Sequence, residues 1–392
     1  MPPHSPAHIT LSASTTAGIV AVAHGEKYPW AETALQICGF HRRDDGAFAL
    51  SGYSPKATRD TVRNLIRTAH RHQTSVTASR RPYLGDVAEE IAAHLPGTWS
   101  AETSIHSHPE WQYDLVPSLW DDGELLQAVQ HQRAPYTAVL NNGEGINLLL
   151  VERPGHPGDY LVGAFASDGF DDNIDEPIAP RSIVLPGDHQ LAAAAIAERF
   201  LPAYHQALHA RRLDTVVYGL DTLREEYETL AAMKESGRYS DATLLDPDEL
   251  PVLEEQFADM AHYKLRNYLI HAPDLLEQCR PEQTPWPEDA AALDRIQNAI
   301  AQWQNAFVEW RRFVPPGLLA TASDEAKAQA KARRDARLRP VIETWLTDGE
   351  TFLRQARAAA PAPPRPLPGP APGAPALPPA LPIPPGATPP RR

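Results

Sequence analysis

A chain of 392 residues, 42% of them hydrophobic, is long enough for two ordinary domains and apolar enough to bury their cores, which argues against a largely unfolded polypeptide. Its net charge of −14 argues against a dedicated binder of nucleic acid or of an anionic membrane surface. The only two cysteines, Cys38 and Cys279, lie far apart and in no CxxC pattern, so neither a disulfide framework nor a thiolate zinc site is expected.

The opening MPPHSPAHITLSAS lacks a basic stretch followed by an apolar one, so no signal peptide is expected. Apolar runs such as 19–23 and 148–151 are strand-sized and predict no membrane span. Together with the cysteine usage, these features point to the cytoplasm.

Residues 17–23 read as a short buried strand and 29–37 as a helix opened by Pro29. Short strands at 39–41 and 47–50 join across Asp45-Gly46, a dipeptide suited to a tight hairpin. Thr58 to His72 is amphipathic, with Val62, Leu65, Ile66 and Ala69 on one side. Arg59, Arg63, Arg67 and Arg71 recur every fourth residue on the other. Such a stripe is either the solvated back of a packed helix or a face that grips phosphates, and it makes these four arginines the candidate nucleic-acid contacts.

Helix is expected again at 86–95, and strand at 99–105. After the stretch HSHPEWQYDLVPSLWD, a helix over 121–132 leads into a meander of strands at 136–140, 146–152 and 160–166. Asn142-Gly143 turns the first corner of that meander. The acidic run 168–176 lacks the alternate spacing and glycine of a calcium loop and reads as solvated. A strand at 183–185 precedes a helix over about 189–211.

From Leu213 onward the pattern is helical. Val216, Leu220, Leu223, Tyr227 and Leu230 form one stripe, and Leu250, Leu253, Phe257 and Met260 another. The most regular is Leu293, Ile296, Ile300, Trp303, Phe307, Trp310 and Val314, alternating steps of three and four, as in a seam buried against other helices. A last helix, about 323–358 with Pro340 inside it, is basic in its first half. It is a natural neighbour of the acidic segment 214–262. From Pro361 to Arg392 the composition is dominated by proline, which favours extended polyproline II and a disordered tail with PxxP-type docking potential.

The 106–121 stretch holds the candidate metal ligands. His106 and His108 are two residues apart, so on a strand both imidazoles would share a face, and Asp121 at a helix start could add a carboxylate. Two imidazoles, one carboxylate and a water form a catalytic zinc arrangement. As a structural alternative, the histidines are surface residues, Trp111 and Trp120 pack into the core, and Ser118 or Asp121 caps a helix.

His106-Ser107-His108-Pro109 followed by Ser118-Leu119-Trp120-Asp121 resembles the signature of JAB/MPN-type (JAMM) metalloproteases, over about residues 98–152. The resemblance implies zinc held by His106, His108 and Asp121, oxyanion stabilisation by Ser118, and cleavage of peptide or isopeptide bonds. The segment 109–117 is longer than the family's usual spacing. Gln36 stands before Cys38-Gly39, where the family carries a general-base glutamate, and glutamine cannot accept the proton of a zinc-bound water. Glu32 and Glu26 are the nearby substitutes.

The sequence therefore predicts an α+β domain with an antiparallel sheet over 1–212, an all-α helical bundle over 213–358, and a disordered proline-rich tail over 359–392. The function expected first is a non-enzymatic cytoplasmic interaction protein that needs no cofactor and docks a protein partner through its helical half or tail. The second is a zinc-dependent JAMM-like hydrolase. Nucleic-acid association through the arginine stripe is the third.

Overall fold

The computed structural model describes residues 6–50, 54–167, 178–284, 286–313 and 323–361. The acidic run 168–176, Val314 and nearly all of the proline-rich tail lie outside the described residues.

The N-terminal half contains two sheets. Strands β1 (Ala7–Ser14) and β2 (Gly18–His24) form a hairpin. Helix α1 (Tyr28–Ile37) follows, then the short pair β3 (His41–Arg42) and β4 (Phe48–Leu50). Gly46, at φ +86°, supplies the left-handed residue that the Asp45-Gly46 turn needs. Helix α2 (Pro55–Arg71) starts on the Ser54 hydroxyl, which accepts the Ala57 amide, and returns the chain to β5 (Thr74–Pro82). The resulting order is β3-β4-β2-β1-β5.

Because α2 crosses over one face, β5 lies parallel to β1, so this sheet is mixed, in contrast to the antiparallel arrangement expected. The sequence hides that pairing. In TSVTASRRP only one residue before the final proline is aliphatic beyond alanine, and no alternation marks an edge strand.

Helix α3 (Leu84–His94) leads to the second sheet, built from β6 (Ser100–Ile105), β7 (Leu119–Trp120), β8 (Tyr136–Asn141), β9 (Asn147–Glu152), β10 (Tyr160–Phe165) and β11 (Ile183–Leu185). Its order is β11-β10-β9-β8-β6, every pair antiparallel, with β7 continuing the β10 edge beyond β11. Helix α4 (Glu124–His131) covers one face through Leu125, Ala128 and Val129, which pack with Leu149, Val151 and Leu161. Helices α3 and α5 (His189–Ala195) cover the other in a larger core shared with Val20 and Val22 of β2. On the opposite face of the first sheet, α1 and α2 bury Ala34, Leu35, Leu65 and Ala69.

After α5 the helix continues through a one-turn π segment (Ile196–Phe200) into α6 (Leu201–Ser236). Pro202 lies two residues past the end of the π turn. Its missing N–H cannot serve the carbonyl one turn back, a position where helices often change register. No break falls at 212, so the boundary drawn from the sequence lies inside one helix.

The C-terminal half continues with α7 (Leu250–Tyr268), α8 (Ala272–Gln278), α9 (Pro287–Phe313) and α10 (Asp324–Ala358). Leu293, Ile296, Ile300 and Trp303 of α9 pack with Leu338, Val341 and Trp345 of α10 and with Leu220 and Leu223 of α6. Arg295 grips buried Asp348 with two hydrogen bonds of 2.7 Å, joining α9 to α10. Lys331 and Arg334 of α10 pair with Glu255 and Asp259 of α7, the charge complementarity the sequence suggested.

Candidate functional site

Strand β6 ends at Ile105, one residue before the histidines. The two-residue alternation that would aim both imidazoles to one side therefore does not reach them. His106 turns inward and is 7% exposed. Its amide donates to the Pro135 carbonyl (2.8 Å), and its Nε2 shares a hydrogen bond with the fully buried Thr137 hydroxyl (3.1 Å). Burial, then the neighbouring Arg133 guanidinium, holds its pKa down at about 4.

His108 remains half-exposed at the start of a run of 3-10 turns over Pro109–Ser118. Its Nδ1 accepts the Glu110 amide at 3.4 Å, and its ring lies 6.3 Å from Trp111. Trp111 is 45% exposed, so it does not join the core, whereas Trp120 is fully buried and meets Tyr204 edge-on.

Asp121 follows β7 and is 5% exposed. One carboxylate oxygen accepts the Ser182 amide at 2.6 Å, the other the Leu126 amide at 2.9 Å. Burial raises its pKa, and these backbone N–H groups oppose the rise. Ser182 returns the favour by accepting the Leu125 amide with its hydroxyl at 2.9 Å, so two side chains close the α4 N-terminus.

Among the described residues no group of three or more His, Cys, Asp or Glu side chains is arranged to hold a metal ion. The proposed ligands His106, His108 and Asp121 are thus not gathered into one set, because each follows a different local hydrogen-bonding demand. Ser118 is exposed, its carbonyl accepting the Ala166 amide. Gln36 is exposed, and Glu32 pairs with Arg42 at 3.7 Å.

Two residues that the sequence did not flag organise this region. Gln112, 4% exposed, donates its amide to the carbonyls of Val129 and Gln132 (2.6 Å each). Its oxygen accepts from Arg133 Nη1 (3.0 Å) and from the Ala134 amide (2.8 Å). All four hydrogen-bonding positions of the amide are filled, closing the C-terminal end of α4. Arg133 Nη2 donates to the carbonyls of His106 and Ser107. A buried glutamine between Trp111 and Tyr113 carries no periodic signal, and Arg133 reads as an ordinary cation past a helix C-terminus.

The first sheet reaches the site through Gly25, whose amide donates to the Ser107 carbonyl at 2.9 Å. At φ +112°, and with a Cβ position only 2.7 Å from the Pro6 carbonyl, this residue has to be glycine. The preceding His24 stacks on His8 (5.3 Å) and bonds the Thr10 hydroxyl (3.0 Å). Burial first, then Arg133 and His8, depress its pKa to about 3.

On α2 the structure places Arg59, Arg63, Arg67 and Arg71 together on the exposed side, opposite buried Leu65 and Ala69. Arg63 pairs with Asp60 at 3.0 Å, and Arg59 donates to the Pro55 carbonyl. In the helical half, Trp303 stacks on Phe307 (5.3 Å) and is 5% exposed. That part of the aromatic seam packs as core.

No protein-family model matches the chain, and no curated protein or solved structure matches it.

Proposed function

We propose that this chain is a non-enzymatic interaction protein whose helical half docks a protein partner. The observation that carries this reading is an exposed tyrosine pair on neighbouring helices. Tyr218 of α6 is 68% exposed with Lys264 Nζ 4.9 Å above its ring, and Tyr263 of α7 is 55% exposed with Arg266 5.4 Å above its ring. Tyrosine held by a cation offers a large, rigid, amphipathic contact at low entropic cost, the residue chemistry of interface anchors. The polar atoms of His106 and Asp121, engaged by Thr137, Ser182 and Leu126, support the same reading because they hold β6, α4 and β8 in place.

In this reading the chain is a cytoplasmic adaptor made of an α+β domain, a helical bundle and a tail. The proline-rich tail, 359–392, supplies a second docking element.

The test is site-specific photo-crosslinking in cells at Tyr218 and at Tyr263, with exposed Leu191 as the control position. A discrete crosslinked partner at the two tyrosine positions and none at Leu191 is expected. Crosslinks equal at all three positions would contradict the reading.

A second reading, a JAMM-like zinc hydrolase, draws on the order of elements: a strand entering His106, a helix directly after Asp121, then β8 and β9. It requires Asp121 to release two backbone amides and His106 to turn away from Thr137. Peptide or isopeptide hydrolysis that needs zinc and disappears in His108→Ala would establish it in place of the first. Nucleic-acid binding through Arg59, Arg63, Arg67 and Arg71 is a third reading. It predicts salt-dependent binding that is lost when Arg63 and Arg67 are reversed in charge.

A further inference from the structure

A cavity of about 190 Å³ opens between the C-terminal end of α4 and the end of β9. Its apolar floor is Ala128, Val129 and Val151, and its walls carry Arg81, Arg133, Arg153 and Glu152. Both rims are fixed. On one side Arg81 donates to the carbonyls of Arg153 (2.7 Å), His156 (2.5 Å) and Asp159 (2.8 Å), which holds the β9–β10 loop in shape. On the other, Gln112 and Arg133 hold the end of α4 against the histidine turn. The cavity is therefore preorganised.

Its cations are not equivalent. Arg153 is neutralised by Glu124 (2.7 Å) and Asp159 (3.4 Å), and Arg81 lies 3.8 Å from Glu152, which also accepts the Tyr136 hydroxyl at 2.9 Å. Arg133 differs. Among the described residues its hydrogen-bond acceptors are neutral: the Gln112 amide oxygen and the carbonyls of His106, Ser107 and Ala134. Those acceptors engage its two terminal nitrogens, while the Nε–H has no acceptor among them, and a guanidinium carries five donors that never deprotonate. Arg133 is an exposed residue, so an anion can reach its guanidinium without displacing a carboxylate.

We propose that this cavity binds a small monocarboxylate, its carboxylate seated on Arg133. The volume equals that of about six waters at roughly 30 Å³ each, which fits an acid of about six heavy atoms and falls below the ~300 Å³ at which drug-sized pockets begin. One unneutralised cation matches one negative charge. A second carboxylate would find Arg81 and Arg153 already paired and would face Glu152. Because Arg133 also holds the carbonyls of His106 and Ser107, an occupant would bear directly on the histidine turn.

The experiment is calorimetric titration of the full chain at low salt with lactate, pyruvate, succinate and inorganic phosphate as probes. Saturable one-to-one binding of lactate or pyruvate is expected, at least tenfold tighter than of succinate or phosphate, and weakened at least tenfold in Arg133→Gln. Should Arg133→Gln fold poorly, Ala128→Leu, which fills the cavity from α4 and leaves Arg133 in place, is expected to abolish binding. No saturable binding of either monocarboxylate overturns the proposal. So does phosphate binding as tightly as lactate, or binding that survives Ala128→Leu in folded protein.

Discussion

Asp121 and Ser182, sixty-one residues apart, are joined by the Ser182 amide donating to the Asp121 carboxylate at 2.6 Å. Ser182 in turn accepts the Leu125 amide, and the second Asp121 oxygen accepts that of Leu126. The residue that sequence spacing offers as a zinc ligand thus works as a clamp between α4 and the segment entering β11.

Removing that clamp leaves two amides without their acceptor in a buried site. Asp121→Ala is expected to lower unfolding free energy by about 2–4 kcal/mol in urea denaturation, since each buried unsatisfied group costs about 1–3 kcal/mol. Asp121→Asn keeps one of the two acceptors and should lose about half as much. Equal losses for the two variants would contradict the clamp.

Stability should also depend on His106 and His24. Both have folded-state pKa values, about 4 and about 3, below the ordinary 6.5, so between those limits the unfolded chain binds more protons. Their contribution is complete above pH 6.5 and declines as pH falls toward 4 and then 3. The raised Asp121 and Glu152 carboxyls act oppositely, stabilising at low pH and losing that contribution as pH rises through their folded values. Comparison with His106→Gln isolates one group. The stability difference between wild type and variant should shrink by on the order of 1–3 kcal/mol from pH 7 to pH 4, at 1.36 kcal/mol per pKa unit. A constant difference would remove this account of His106.

Gln112→Met nearly preserves volume but deletes four hydrogen bonds at the end of α4. A loss of about 3 kcal/mol is expected in chemical denaturation, with faster hydrogen exchange at the Ala134 amide. A change within 0.5 kcal/mol, ordinary for surface positions, would show that Gln112 does not organise the turn.

In the helical half, Gly219 of α6 lies against the Tyr268 ring of α7 so closely that a Cβ would overlap it. In an exposed helix, glycine to alanine gains up to ~1 kcal/mol. Here Gly219→Ala should instead cost about 1–3 kcal/mol through overpacking, and the cost should fall in a Tyr268→Leu background. A stabilised Gly219→Ala protein would show that α6 and α7 do not approach in this way.

The parts legible in the sequence are those governed by local rules. Asp45-Gly46 and Asn142-Gly143 announce their turns, and Gly46 and Gly143 adopt the positive φ such turns use. The stripe from Leu293 to Trp303 announces its burial, and 183–185 its strand. Strand β5 was illegible because its one strand partner among the described residues is the parallel β1, a pairing that no local pattern in TSVTASRRP encodes. The continuity of α6 was hidden because Arg211, Arg212 and Asp214 interrupt the apolar stripe without being helix breakers.

At the site, the spacing of His106, His108 and Asp121 was visible, but their roles depend on Thr137, Pro135 and Ser182, far along the chain. Ligand spacing fixes which residues could meet, whereas the hydrogen-bonding needs of β8 and α4 decide which do.

The central claim, that the polar atoms of His106 and Asp121 serve the hydrogen bonds that hold β8 and α4 in place, is tested most directly by thermal unfolding of the full chain in excess chelator and with one equivalent of zinc. A ligand that binds only the folded state raises the midpoint by mass action. The account predicts the same midpoint in both conditions, for wild type and for His108→Ala alike. A zinc-dependent rise of several degrees in wild type, absent from His108→Ala, would contradict it.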